Sequence, residues 1–340
     1  MIASRQGSTV PKVPNIMLLL IRFREVGILF FTLLLILVAS IITKQGFLTV
    51  DNFQDILLNI SILTIVGLAQ MMVIITRGID LSVGSTIGLV AMMVAFTMVA
   101  FPDLNPVLAL LLGMALGAVL GSINAAIITW GNVPPIIATL GTLSIYRGLT
   151  FLYSNGDWIN SFEMPKSLRQ LSKGTPLGVP NLILIAVAIT ILIFYFLRFT
   201  QAGRDIYAVG SNPDAAKVAG IRVERIIFMV YVLSGILCGL AGVLWASRFE
   251  SAQTNTALGF ELQTVAAPVV GGVNIFGGSG TVLGMVLGAF LLGVINNALT
   301  IVQISPFWQL AVQGLLILLA VIVDSTVMRR LKTMNTEGGV

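Results

Sequence analysis

The sequence predicts an all-α integral membrane protein of about ten transmembrane helices, built as two inverted five-helix halves with both termini in the cytoplasm. Three observations carry that prediction. First, 57% of the 340 residues are apolar and only 10% are charged, where soluble domains run at about 25% charged. Mean hydropathy is +1.00, and so few charges cannot coat a water-soluble body of this size. Second, apolar runs of about 20 residues, the length that crosses a ~30 Å hydrocarbon core as a helix, recur along the chain. Third, a Gly-rich heptapeptide recurs half a chain apart.

In order, the expected spans are Val26–Thr43, Ile56–Thr76, Val83–Phe101, Val107–Trp130 and Pro135–Tyr153, then Val179–Leu197, Ile226–Trp245, Leu262–Ile275, Thr281–Leu299 and Phe307–Val323. The first starts late, is long, and lacks a small-residue cleavage site after it, so it reads as a span and not as a signal peptide. The eighth is short and interrupted by glycine, which points to a broken or re-entrant segment. Residues 1–25 form an N-terminal cytoplasmic segment, 26–325 the membrane domain with a cytoplasmic loop at 198–225, and 326–340 a cytoplasmic tail.

Lys/Arg bias sets orientation in a membrane. With the N-terminus inside, the inner face takes Arg5, Lys12, Arg22, Arg24, Arg77, Arg198, Arg204, Lys217, Arg222, Arg225, Arg329, Arg330 and Lys332. The outer face takes only Lys44, Lys166, Arg169, Lys173 and Arg248, while Arg147 lies within the fifth span. The net charge of +5 therefore reads as topology and contact with lipid, not as a nucleic-acid surface.

The recurring heptapeptide is Leu112-Gly113-Met114-Ala115-Leu116-Gly117-Ala118 in span 4 and Leu283-Gly284-Met285-Val286-Leu287-Gly288-Ala289 in span 9. Asn124 and Asn296 follow, with one residue inserted in the second copy. Spans 4 and 9 run in opposite directions, which suggests an inverted repeat with a solute path between the halves. Convergent small-residue packing would give the same pattern.

Several chemistries are missing. There is no histidine, a single Cys238 inside an apolar run, and no Gly-x4-Gly-Lys-Ser/Thr run. His-based triads, catalytic zinc of the usual kind, intrachain disulfides and a P-loop ATP site are thereby excluded from this chain. No pair of intramembrane acids suits proton or sodium coupling. Any ATP chemistry is expected on another subunit, with no cofactor in this one.

The polar residues that remain are few. After span 6, Asn212 or Ser211 can cap a helix starting at Pro213, with Asp214 near its positive end and Gly220 as a stop. Pro213–Ala219 would be about two turns, too short to stand alone. Ala215, Ala216, Val218 and Ala219 give it a small apolar face. The helix either inserts into a cytoplasmic partner or lies on its own bundle. Asp80, between spans 2 and 3, can cap the third helix or pair with Arg77, and Ser82 is a second cap candidate. Arg147 either snorkels or lines a polar path. The amides Asn59, Gln70, Asn124, Asn296, Asn297 and Gln303 could bond solute hydroxyls or tie helices together. Gly277-Gly278-Ser279-Gly280 joins two membrane segments, so it reads as a tight turn with close packing, not a phosphate loop.

These pieces together resemble a family: permease subunits of bacterial ATP-binding-cassette importers for ribose, xylose, arabinose, rhamnose, galactofuranose and autoinducer-2. The resemblance runs from about Val26 to Asp324. It is carried by Gly78-Ile79-Asp80-Leu81-Ser82-Val83-Gly84-Ser85, by Pro135 to Thr142 continuing to Tyr146-Arg147-Gly148, by Gly203-Arg204 through Ala208 to Pro213, Ala215-Ala216 and Gly220-Ile221, and by Gly259-Phe260-Glu261-Leu262 through Gly280. The family often has Gly-Gly where Arg77-Gly78 stands, and Asn-Gly where Asn124-Ala125 stands. Ser154 to Ile159 resembles the rhamnose and autoinducer-2 branch more than the ribose branch.

The resemblance implies a pathway formed by two permeases, identical or homologous, in the bacterial inner membrane. It implies a cytoplasmic ATPase subunit holding Mg-ATP and an extracytoplasmic solute-binding protein. Asn212, Pro213, Asp214, Ala215, Ala216, Lys217 and Gly220 would couple to the ATPase. Asn59, Gln70, Asn124, Thr139, Arg147, Asn296 and Asn297 are the pathway candidates. The competing readings are an ion-coupled secondary transporter and a cassette permease for nucleosides or branched-chain amino acids.

Overall fold

The computed structural model describes residues 24–43, 47–176 and 178–305, with scattered positions from 308 to 322. The N-terminal segment before Arg24, the tail 326–340 and much of the tenth expected span lie outside the described residues. So do Arg5, Lys12, Arg22, Arg329, Arg330 and Lys332.

Among the described residues the regular structure is helical. The helices are α1 (Arg24–Thr43), α2 (Val50–Ile75), α3 (Val83–Ala100), α4 (Pro106–Thr129), α5 (Pro135–Ser154), α6 (Lys166–Lys173), α7 (Asn181–Phe199), α8 (Gln201–Ser211), α9 (Pro213–Val218), α10 (Val223–Phe249), α11 (Phe260–Val270) and α12 (Val282–Ile301). One antiparallel bridge joins Ile159 to Ala252. Eight helices, α1 to α5, α7, α10 and α12, are long and apolar enough to cross a membrane.

The eighth expected span is not among them. It forms α11, eleven residues and about 16 Å long, half the hydrocarbon thickness. Pro268 interrupts its backbone bonding, and Gly271 and Gly272 end it, the latter with φ 93°. Elsewhere the helices outrun the apolar windows. α2 begins at Val50, because Thr49 accepts from Asn52 N–H and Asp51 sits in the first turn. α10 begins at Val223, with Glu224 in its first turn. Such polar turns extend a helix beyond what hydropathy marks. α6 and α8 carry no long apolar run, so hydropathy does not mark them.

α2 forms the core, with every residue from Ile60 to Ile75 buried; a helix apolar on all sides belongs there. α4 lies along α10, and α12 along α2; α3 packs on α10, and α11 on α2. The α4–α10 seam is backbone against backbone: a Cβ on Gly117 would stand 2.1 Å from Gly235 O, and one on Gly121 2.4 Å from Tyr231 O. Only glycine permits this approach. The two heptapeptide copies use their glycines differently. Gly113 and Gly117 meet α10, whereas Gly284 and Gly288 meet Gly271 and Ala267 at the end of α11. The outward faces of α1, α4, α5 and α7 carry exposed Leu, Ile, Val and Phe, as lipid-facing helices do.

Candidate functional site

The capped helix after span 6 exists. Asn212 Oδ1 accepts from Asp214 N–H at 3.0 Å and Ala215 N–H at 3.1 Å, and Pro213 holds the first position. The helix ends at Val218. Gly220, φ 84°, donates to Lys217 O, and Ile221 N–H donates to Ala216 O. This pair of bonds is the Schellman arrangement that a left-handed glycine allows. Lys217 and Glu224 pair at 3.3 Å across the turn into α10. The expected apolar face is split. Ala216 is 4% exposed and packs into the main core, while Val218 is 91% exposed. Ala215 and Ala219 are exposed with Val218. Ala216 therefore seats α9 on its own bundle, and the other three present outward.

What α9 sits on was not legible in the sequence. α8, capped by Thr200 on Gly203 N–H at 3.0 Å, ends against α2. Arg77, just past the α2 C-terminus, donates from Nε to Gly210 O at 2.7 Å and from Nη2 to Ser211 O at 2.6 Å. Those are carbonyls at the negative end of α8, where a cation is favoured. Arg77 takes φ 66°, in the left-handed region. A Cβ on Gly210 would stand 1.7 Å from Ile75 O, and Gly278 N–H donates to that same oxygen at 2.9 Å. Tyr207 Oη donates to Gly280 O at 2.9 Å, and burial raises its pKa. The α8–α9 hairpin, the end of α2 and the Gly277–Gly280 turn thus form one junction. The tight-turn reading of Gly277–Gly280 fits this packing.

Beside the junction, the Gly78–Ser82 segment is a polar knot. Asp80 does not pair with Arg77. Its Oδ1 accepts from Ser82 N–H at 2.9 Å and Ser82 Oγ–H at 2.6 Å, and its Oδ2 from Ser234 Oγ–H at 3.4 Å. The Ser82 side chain makes no cap bond to α3. With its nitrogen turned to the Asp80 carbonyl, the Gln70 amide bonds Asp80 C=O at 3.2 Å and Asp80 N–H at 3.1 Å. Asn124 Nδ2 donates to Ser82 Oγ at 2.8 Å, and Thr139 Oγ1 donates to Ile79 O at 3.1 Å. Burial pushes the Asp80 carboxyl above its ordinary range, and the Ser82 bonds pull against it. Three pathway candidates, Gln70, Asn124 and Thr139, are thus gathered and buried around one turn.

The other candidates lie apart from it. Asn59 Oδ1 accepts from Arg248 Nη2 at 3.1 Å, joining α2 to α10. Asn297 Nδ2 donates to Asn52 Oδ1 at 2.8 Å, joining α12 to α2. Neighbouring Asn296 accepts on its carbonyl from Thr300 Oγ1. Arg147 Nη1 donates to Thr254 O at 3.0 Å and Thr256 O at 2.7 Å, bracing the α10–α11 loop. No group of three or more His, Cys, Asp or Glu fit to hold a metal occurs among the described residues.

The family described as "branched-chain amino acid transport system / permease component" matches residues 52–321. The chain belongs to this family. The permease is 38% identical to the ribose import permease protein of Escherichia coli K12 over 295 residues, 86% of this chain and 91% of that one. It is 33% identical to the D-allose transport system permease protein of the same organism over 299 residues, 88% of this chain and 90% of that one. It is 36% identical to the autoinducer 2 import system permease protein of Salmonella paratyphi B over 278 residues, 82% of this chain and 79% of that one. Identities of 38% and 36% do not separate the ribose branch from the rhamnose and autoinducer-2 branch that Ser154 to Ile159 resembles. No solved structure matches. The permease is a multi-pass membrane protein and a transport component.

Proposed function

We propose that this permease is the membrane subunit of an ATP-driven importer of a monosaccharide or sugar-like solute in the bacterial inner membrane. The observation that carries the coupling is the α8–α9 hairpin. The six-residue α9 is capped at both ends, seated by Ala216 and left with Val218 facing outward, while Arg77 holds the end of α8 just before it. That surface suits an ATPase subunit. The names of the relatives, which import ribose, D-allose and autoinducer 2, support a sugar-type solute over amino acids. Two permeases, identical or homologous, form the pathway. A solute-binding protein delivers cargo at the face opposite the hairpin.

Both termini lie in the cytoplasm, and the two five-helix halves are inverted. Helix exchange supports an internal two-fold repeat. Under the repeat, α2 corresponds to α10, α3 to α11 and α4 to α12. The contacts α4–α10, α3–α10 and α3–α4 then map onto α12–α2, α11–α2 and α11–α12, all of which occur.

The permease performs no covalent chemistry. Closure of the ATPase dimer moves α9, and Arg77 carries that movement to α2 and the Asp80 knot. ATP binding favours one of two rigid-body arrangements. The test uses Cys238, the sole cysteine, which is buried. Val218→Cys then offers a single accessible thiol for a benzophenone crosslinker. Crosslinking to the co-expressed ATPase subunit is expected, and its absence in an importer that still transports would overturn the docking.

A further inference from the structure

We propose that the cavity at the α10–α11 junction is a subsite for a neutral, polyhydroxylated ring solute. This rests on the importer reading above and places the cargo within it. The cavity is about 340 Å³ and is walled by Trp245, Phe249, Ser251, Gln253, Asn255 and Gln263 among others. Its size is within the range of small-molecule sites, about 300–1,000 Å³.

The lining is mixed in the way a sugar ring requires. Trp245 makes ring contacts with Phe249 and Phe260 at centroid distances of 4.9 and 5.1 Å. That cluster offers an apolar wall to the C–H face of a ring. Three carboxamides, Gln253, Asn255 and Gln263, and two hydroxyls, Ser251 and Thr256, stand with it, and each side chain both donates and accepts, as hydroxyl groups do. No Asp, Glu, Lys or Arg lines the cavity. A zwitterionic amino acid or a phosphorylated solute would find no counter-charge in that lining. The chemistry thus separates sugar from amino acid, a choice the family description alone leaves open.

The walls are also held in place. Arg147 ties Thr254 O and Thr256 O, so the loop carrying Gln253 and Asn255 is fixed to α5. Within that loop Ala257 takes φ 56°, a left-handed conformation that a non-glycine residue keeps only where the surroundings determine it. Arg147, a pathway candidate in the sequence, acts here as a positioning residue. The cavity lies at the C-terminal end of α10, a 27-residue helix whose N-terminus adjoins the hairpin. The two sites are therefore about 40 Å apart, at opposite ends of the protein.

The test uses the complete importer in proteoliposomes, with ATP inside and solute-binding protein outside. D-Ribose, D-allose and L-rhamnose are the probes. In Gln253→Leu and Trp245→Leu the ratio of uptake rates between these sugars is expected to shift at least threefold, because the lining discriminates ring substituents. A purely structural defect lowers all uptake in parallel, and unchanged ratios in both variants would overturn the proposal. As a second measurement, Asn255→Cys supplies one reactive thiol on a chain whose own cysteine is buried. Its labelling by N-ethylmaleimide should slow severalfold when the transported sugar and its loaded binding protein are present. Equal labelling with and without sugar would count against the site. If the wild-type importer shows no ATP-dependent uptake of any sugar-type solute, autoinducer 2 included, the importer reading itself fails, which is a different result from intact transport with unaltered selectivity.

Discussion

Replacing Arg77 separates docking of the α8–α9 hairpin from folding of the membrane domain. Arg77 contributes two charge-assisted bonds to the end of α8, one part-buried and one exposed. A bond to a charged group contributes about 1.5–3 kcal/mol when protected, and an exposed one much less. Together they amount to about 2 kcal/mol, or roughly 30-fold in the balance between docked and undocked hairpin. Arg77 also holds φ 66°, which costs a non-glycine residue about 1 kcal/mol. Arg77→Gly removes both the bonds and the strain, so global stability should change by only about 1 kcal/mol while docking loses the full 2. Arg77→Ala keeps the strain and should cost more stability. The assay pairs amide hydrogen exchange across α8 and α9 with solute moved per ATP hydrolysed. Exchange there should quicken by about 30-fold, and the transport-to-hydrolysis ratio should fall in both variants. Unaltered exchange and an unaltered ratio in Arg77→Gly would refute the reasoning.

Val218→Arg should reduce ATP-dependent uptake at least tenfold without reducing membrane abundance, since Val218 is exposed; quantitative blotting and uptake check it. Ala216→Arg, by contrast, forces a charge among core residues and should lower the amount of folded protein. Gly117→Val places a side chain against backbone of α10, and thermal unfolding in detergent should show a loss of about 1–3 kcal/mol or more. The Glu250 carboxyl is held below its ordinary range by its bonds to Lys173 and Ser161, with Arg169 at 3.7 Å. A depressed acid stabilises above its unfolded pKa, 4.5, and loses that contribution as pH falls through the folded value. Glu250→Gln should therefore narrow the stability difference between pH 6 and pH 3, read by thermal unfolding.

The membrane class and most helices were legible because a lipid-facing or core helix must be apolar over its length. The cap at Asn212 and the stop at Gly220 were legible for a different reason: caps are local chemistry, read within a few residues. α6 and α8 were not, because their helicity depends on docking. The partners of Arg77 were hidden by distance, since Gly210 and Ser211 lie more than 130 residues away. Proximity in sequence suggested Asp80 instead, but Ser82 satisfies that carboxylate from two positions on. Gln70, Asn124 and Thr139 could be picked out as polar groups in apolar helices. That they meet at one turn depends on how α2, α4 and α5 pack.

The most direct test of ATP-driven import is uptake into proteoliposomes by the purified chain with and without its ATPase subunit and binding protein. Transport should require both partners and internal ATP, and should persist when proton and sodium gradients are collapsed. Uptake by this chain alone, driven by either gradient, would contradict it.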